Sequence, residues 1–248
     1  MKFRFTFLFI LIICFNIYSQ EKTVLMIDYS HSTHIEGMPS ATIVKANLVA
    51  SQVASIYEMD YLNISNFIDE EDGENGPILN VRANKNPRIF KDFTTQSIYS
   101  VERVFMNPFL VKDTFTIFNW SLTNVFETIL GYKCQKVNLN YRGRDYEAFF
   151  TTEIPFNAGP WKFSGLPGCI LKVKSTDGVF EIFAEKIQIK NAVVSFEKPF
   201  VKELDKSISW DDFIKKYKKK YEELQSYTGP DGGSMSIPKR KIEVLIED

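Results

Sequence analysis

Ala158-Gly159-Pro160-Trp161-Lys162-Phe163-Ser164-Gly165-Leu166-Pro167-Gly168-Cys169-Ile170-Leu171 is the stretch that decides how this chain folds. Three glycines and two prolines fall within residues 159–168, with two aromatic rings between them. Glycine opens backbone conformations closed to other residues and proline fixes φ, so the segment specifies a rigid turn path rather than a flexible one. Trp161 and Phe163 alternate, which points both rings the same way, into a core or a groove. The bend feeds a strand-like run, Cys169–Ser175, which continues through Thr176-Asp177-Gly178 into Val179–Ile189. Asp-Gly tolerates positive φ and marks a hairpin.

The pleated pattern extends outward from there. Tyr132–Tyr141 and Tyr146–Thr151 flank a second turn at Arg142-Gly143, and Ile98–Met106, Phe109–Asp113 and Phe115–Trp120 read as strands before it. Thr23–Tyr29 alternates in the same way. Val44–Tyr57 contains no turn residue and reads as one strand, with Val49, Val53 and Tyr57 on one face beside Ser51 and Ser55. Short strands with close turns imply an antiparallel sheet. A single helix follows. Ser209 caps it, Asp211 and Asp212 occupy its first turn, and Trp210, Phe213, Tyr217, Tyr221 and Leu224 make one apolar stripe before Gly229-Pro230. Lys215, Lys216, Lys218, Lys219 and Lys220 form its other face, read as solvated, with an acidic partner or a membrane surface as the alternative. The fold expected is mainly β: a curved antiparallel sheet or half-barrel covered by a C-terminal α-helix.

The chain begins with an address. Lys2 and Arg4 precede the apolar run Leu8–Phe15, and Ser19 supplies a small residue at a cleavage position, so residues 1–19 read as a secretory signal peptide. The run is shorter than the roughly 20 residues a bilayer span needs, so no transmembrane span is expected once it is removed. Cys14 lacks the small residue that lipidation would place before it and leaves with the signal. Cleavage there makes residues 20–248 one exported domain, bound for the periplasm or cell envelope. Removing Lys2 and Arg4 takes the basic count from 30 to 28 against 31 acidic residues, a net charge of -3. With 44% hydrophobic and 15% aromatic residues the chain can build a core, and its charge gives no electrostatic case for nucleic acid.

Chemistry is sparse. The chain has no phosphate-cradling glycine loop, no Gly-x-Ser-x-Gly elbow and no His-Glu-x-x-His. Its two histidines, His31 and His34, with Glu36 nearby, are weak metal candidates in a loop before Gly37-Met38-Pro39. The turn Asp69–Pro77 is acidic but lacks calcium-ligand spacing and reads as a solvated loop. Cys134 and Cys169 lie on expected strands. A disulfide between them requires adjacent strands, and two buried thiols are the other reading.

Gly165-Leu166-Pro167-Gly168-Cys169-Ile170 resembles the signature hexapeptide of the GLPGLI family, exported proteins of Bacteroidota-type bacteria, with Cys169 where the family usually has Leu. Gly159-Pro160-Trp161-Lys162-Phe163 is similar to the family's lead-in, and Gly131–Lys136, Tyr141–Arg144 and Thr152–Pro155 are similar to further family motifs. The likeness is good over roughly residues 115–187. It implies a β-rich envelope protein of no established activity and carries over no catalytic residue. Gly159, Pro160, Trp161, Gly165, Leu166, Pro167, Gly168, Ile170 and Cys134 match without a role. The departure at Cys169 leaves open a bond to Cys134 that Leu would forbid.

The leading functional expectation is a non-catalytic binding module, without cofactor, for an apolar ligand, a peptide or an outer-membrane partner. It calls for a cavity lined by Phe and Tyr, because a filled interior leaves only surface interactions. The alternative is a periplasmic hydrolase using carboxylates or a metal at His31 and His34, which calls for ionisable groups converging in a cleft. A structural or assembly role would show as a large exposed apolar patch.

Overall fold

The computed structural model describes residues 22–34, 41–62, 85–192, 200, 202–229 and 232–246. The expected signal peptide, Glu36 with Gly37-Met38-Pro39, and the acidic turn at 69–77 lie outside the described residues.

Twelve strands form among the described residues: β1 (Lys22–Thr33), β2 (Thr42–Ala50), β3 (Ala54–Met59), β4 (Arg88–Asp92), β5 (Ser97–Val104), β6 (Asn107–Thr114), β7 (Ser121–Ile129), β8 (Tyr132–Tyr141), β9 (Arg144–Thr151), β10 (Cys169–Ser175), β11 (Phe180–Ala192) and β12 (Ile208–Ser209). They make one sheet in the order β12-β6-β5-β4-β3-β2-β1-β11-β10-β9-β8-β7, antiparallel throughout except where β12 lies parallel to β6. The helix α1 (Trp210–Gln225) follows β12, with the Ser209 side chain accepting from the Asp212 amide as the sequence predicts.

The sheet is curled. β4 and β8 stand seven places apart in the strand order, which is about 34 Å in a flat sheet at ~4.8 Å per strand. Both nevertheless touch one short segment: the Lys91 ammonium of β4 donates to the Phe163 carbonyl at 2.6 Å, and the Tyr141 ring of β8 lies 6.3 Å from the Phe163 ring. Register shifts at Asp28/Tyr29, Ile170/Lys172 and Leu122/Phe126 supply bulges, which bend strands and increase twist. Alternation then decides which side chains enter the curve; in β2, Val44, Ala46, Leu48 and Ala50 point in while Lys45 and Asn47 point out.

Two apolar clusters result. The larger lies inside the curve and includes Leu25, Ile27, Tyr29, Tyr57, Tyr146 and Phe180. The smaller, built on Val104, Val111, Phe213, Tyr217, Leu224 and Ile237, lies between α1 and the β5–β6 end of the sheet. The helix covers that end, while the interior of the curve is occupied by the connection between β9 and β10.

Three local expectations need correction. Val44–Tyr57 is a hairpin rather than one strand, because the Ser51 hydroxyl accepts from the amides of Val53 and Ala54 and closes a turn no glycine or proline announces. Phe115–Trp120 is a short 3-10 turn at Phe115–Ile117 followed by irregular chain, and the strand is instead β7, whose side chains are exposed on both faces. His31 is inside β1 rather than in a loop, since β1 continues to Thr33. No helix among the described residues is long and apolar enough to cross a membrane.

Candidate functional site

The Gly-Pro segment is a plug. From Thr152 the chain enters the curve as an extended ribbon with Ile154, Phe156 and Ala158 buried and Pro155 and Asn157 exposed. Residues 159–164 are then wholly buried, and the chain leaves through Gly165 and Pro167, which are exposed. Trp161 and Phe163 both point inward as expected, their ring centres 5.2 Å apart, and they pack edge-on or tilted against Tyr141, Tyr146 and Phe180. Trp161 sits at φ +49, a left-handed backbone that costs a bulky side chain roughly 1–2 kcal/mol and is held by that packing. Gly168 has φ +148, and a Cβ there would lie 2.2 Å from the Thr151 carbonyl oxygen, so neither the conformation nor the space admits another residue. A Cβ on Gly159 would lie 2.9 Å from the Phe163 carbonyl oxygen. Leu166 and Ile170 are buried, and Ile170 bonds back to the plug through Ala158 while its own carbonyl accepts from Tyr29 at 2.7 Å.

Two buried lysines fasten the plug. Lys91, fully buried on β4, donates to the carbonyls of Gly159 at 2.7 Å and Phe163 at 2.6 Å. Burial drives its pKa well down, since no carboxylate among the described residues pairs with it. Lys162, within the plug, reaches Glu102 and Glu243, each at 2.8 Å. Burial opposes its charge, but those two carboxylates outweigh burial and hold its pKa above the usual lysine value.

Glu243 belongs to the C-terminal tail and is the hub of a larger network. It also accepts from Arg142 and from the Tyr141 hydroxyl at 3.1 Å. Arg142 makes a two-pronged contact with Asp113, both at 2.8 Å, and its guanidinium stacks 3.3 Å above the Trp210 ring. Burial works against the Glu243 charge, yet Lys162 and Arg142 keep its pKa below the ordinary carboxylate value. For Asp113 the balance reverses, burial raising its pKa more than Arg142 and Lys162 lower it. Around the hub the tail is held by its backbone: the Ile242 carbonyl accepts from Arg144 at 3.0 Å and Tyr146 at 2.7 Å, and the Val244 amide donates to Arg142. Val244 lies on Gly143, where a Cβ would meet it at 2.9 Å.

The candidates from the sequence fare differently. His31 is buried, its Nδ1 3.1 Å from the Tyr57 hydroxyl and its ring edge-on to Phe180, and burial lowers its pKa to about 4. His34 is exposed, so the pair does not converge, and no group of three or more possible metal ligands occurs among the described residues. The Cys134–Cys169 bond is not formed. Both are free thiols on β8 and β10 with β9 between them, a Cα separation of roughly 10 Å against the ~7 Å limit for a disulfide. Burial pushes their pKa values up to about 11 and about 12, the mark of unreactive thiols. Ionisable groups do converge, at Asp113, Arg142, Lys162 and Glu243, but inside the protein and paired with each other rather than in a cleft. Sequence reasoning missed them, although Lys162 between Trp161 and Phe163, and Glu243 between Ile242 and Val244, are charges set in apolar company.

The expected cavity is filled by residues 154–166. Open clefts lie at the surface among the described residues. One of about 430 Å³ is lined by Phe93, Gln96, Phe115, Asn157, Leu166 and Pro167, beside the exposed part of the plug. A polar one of about 360 Å³ lies along Ser121, Asn138, Asn140, Asp145 and Glu147.

Fold and site define an open curved sheet closed from within by its own connection. Residues 141–172 match a family model described as a protein of unknown function (Porph_ging). No curated protein matches the chain. Among solved structures it is similar to PNGF-II in a C2 crystal form, at 12% identity and TM-score 0.50, over 80% of this chain and 33% of that one. The P21 form gives 12% identity and TM-score 0.49 over 81% and 34%. The chain thus spans about a third of the length of PNGF-II. A domain described as that of an outer membrane lipoprotein-sorting protein from Vibrio parahaemolyticus overlaps at 8% identity and TM-score 0.24, over 74% of this chain and 89% of that one. The C2 likeness bears on fold alone, and the overlaps below 0.5 bear no argument.

Proposed function

We propose that this chain is a non-catalytic binding module of the bacterial cell envelope that works through its surface, taking a peptide or an outer-membrane protein rather than carrying an apolar molecule inside the sheet. One observation carries the reading: the space a carrier leaves for its cargo is filled by residues 154–166, pinned there by Lys91 and Lys162. The buried charged groups that converge, Asp113, Arg142, Lys162 and Glu243, pair with one another in holding the plug and tail rather than facing a cleft. The export reading of residues 1–19 and the resemblance to the GLPGLI family support the envelope as the setting. The cleft beside Phe93, Phe115 and Leu166 is the binding place in this reading, because there the signature's exposed residues, Gly165 and Pro167, meet solvent next to two aromatic rings.

Native mass spectrometry of the protein purified from its own envelope, with and without reductant, tests this. A co-purifying polypeptide, and a protein mass that reductant leaves unchanged, is the expected result. A stoichiometric lipid in place of a polypeptide would sink the surface reading, and a bare chain would leave the module without a partner and reject it.

A further inference from the structure

The tip of the β5–β6 hairpin is apolar where hairpin turns are usually polar. Val104 and Asn107 pair across a two-residue turn, Phe105-Met106, and Phe105 takes φ +53, a conformation that Asn or Gly adopts with less strain. Met106 is 44% exposed and Pro108 is exposed, while Phe105 and Phe109 are half-buried against the α1 cluster. The turn is the tip of the β5–β6 hairpin and lies next to α1.

Basic groups ring this point. The Arg103 guanidinium donates to the Met106 carbonyl at 3.4 Å. The Lys216 ammonium lies 5.5 Å from the centre of the Phe109 ring, and that of Lys220 lies 5.9 Å from the centre of the Phe105 ring. Lys219 is three residues from Lys216 and so shares its flank of the helix. Glu223 holds Lys220 at 3.2 Å and Asp212 holds Lys215 at 3.4 Å, whereas Lys216 and Lys219 have no ion-pair partner among the described residues.

We infer that this tip docks on a bilayer surface carrying anionic headgroups, with Met106 and Pro108 entering the acyl boundary and Arg103, Lys216, Lys219 and Lys220 lying among the phosphates. An exposed apolar hairpin tip flanked by cations suits a soft, negatively charged interface, because apolar insertion and charge attraction act at the same depth. An acidic protein would satisfy the lysines but would leave a projecting methionine without a use. The inference goes beyond the surface-binding reading and does not depend on the cleft at Leu166.

Co-sedimentation of the folded protein with vesicles tests it, using phosphatidylcholine alone and phosphatidylcholine with about one part in four phosphatidylglycerol. Binding to the anionic vesicles at least about tenfold tighter than to the neutral ones is expected, and about 0.5 M salt weakens it by screening. Lys216→Glu with Lys219→Glu lowers binding about tenfold or more. Met106→Asp lowers it several-fold, and Met106→Trp shows an emission blue-shift on anionic vesicles. Circular dichroism confirms that each variant is folded, and all these substitutions lie at exposed positions outside the buried network. No binding, equal binding to both vesicles, or anionic binding indifferent to Met106→Asp each overturns the inference. Retention by an immobilised acidic peptide without vesicle binding assigns the lysines to a protein instead and overturns it too. Failure here leaves the mass-spectrometric test of a polypeptide partner untouched.

Discussion

Lys91 reaches in from β4 and holds two neutral carbonyls of the plug, those of Gly159 and Phe163; Lys162, between them in the chain, reaches out of the plug and holds two carboxylates. Both lysines are buried, and both lie within one apolar interior, yet their pKa values move in opposite directions. The first is a geometric peg whose charge the site disfavours. The second is an electrostatic clasp whose charge the site requires. The difference shows that the C-terminal tail is part of the plug rather than an appendage, because its Glu243 is the counterion that lets Lys162 and Arg142 stay charged without water.

The largest effect is expected at the clasp. Glu243→Leu removes a shared acceptor from two buried cations and should cost about 3–5 kcal/mol, the range for breaking a buried ion pair, read by urea unfolding. If Lys91→Met costs as much, the distinction between peg and clasp fails. Gly168→Ala comes next, at about 2–3 kcal/mol, because it combines positive φ with a Cβ 2.2 Å from the Thr151 carbonyl oxygen. Gly165→Ala, also at positive φ but with its nearest neighbour 3.8 Å away, should cost about 1 kcal/mol in the same assay. That contrast separates a signature glycine that the packing requires from one that faces the surface cleft.

Acid should sharpen the comparison further. His31 has its pKa lowered by burial from 6.5 to about 4, so between those values the unfolded chain binds more protons and stability falls with falling pH. From pH 7 to pH 5 that is about 2 kcal/mol, and His31→Phe should flatten the slope of stability against pH. Below the ordinary carboxylate range the clasp follows. The Glu243 pKa is depressed, so its contribution is present above the unfolded carboxyl value and is lost as pH falls through the folded one. Lys91 shifts in the same direction as His31, its charge opposed by burial. Its lowered pKa makes stability rise with pH as the unfolded lysine value of about 10.4 is approached, and Lys91→Met should abolish that rise at a cost near pH 7 of about 1 kcal/mol. That smaller cost reflects the loss of two carbonyl partners set against the relief of an unfavourable buried charge.

Much of the architecture could be read along the chain because it is specified locally. Gly and Pro density marked the bend at 159–168, Asp-Gly and Arg-Gly marked two hairpins, and Ser209 with the 210–224 stripe marked α1. The β2–β3 turn escaped because a serine hydroxyl closes it, and β7 escaped because an edge strand exposed on both faces has no apolar alternation. The buried network escaped for a different reason. Lys91 lies 68 residues from Gly159, and Lys162 lies 81 from Glu243.

The sequence by itself determined a mostly β chain with a rigid inward bend and one capped helix, since turns, caps and alternation act over a few residues. Whether that bend lined a cavity or filled it was decided by how tightly the twelve strands curl. Curling brings residues from β4, β8 and the C-terminal tail within hydrogen-bonding reach, and charges that look ordinary along the chain become costly once enclosed unless an opposite charge is enclosed with them.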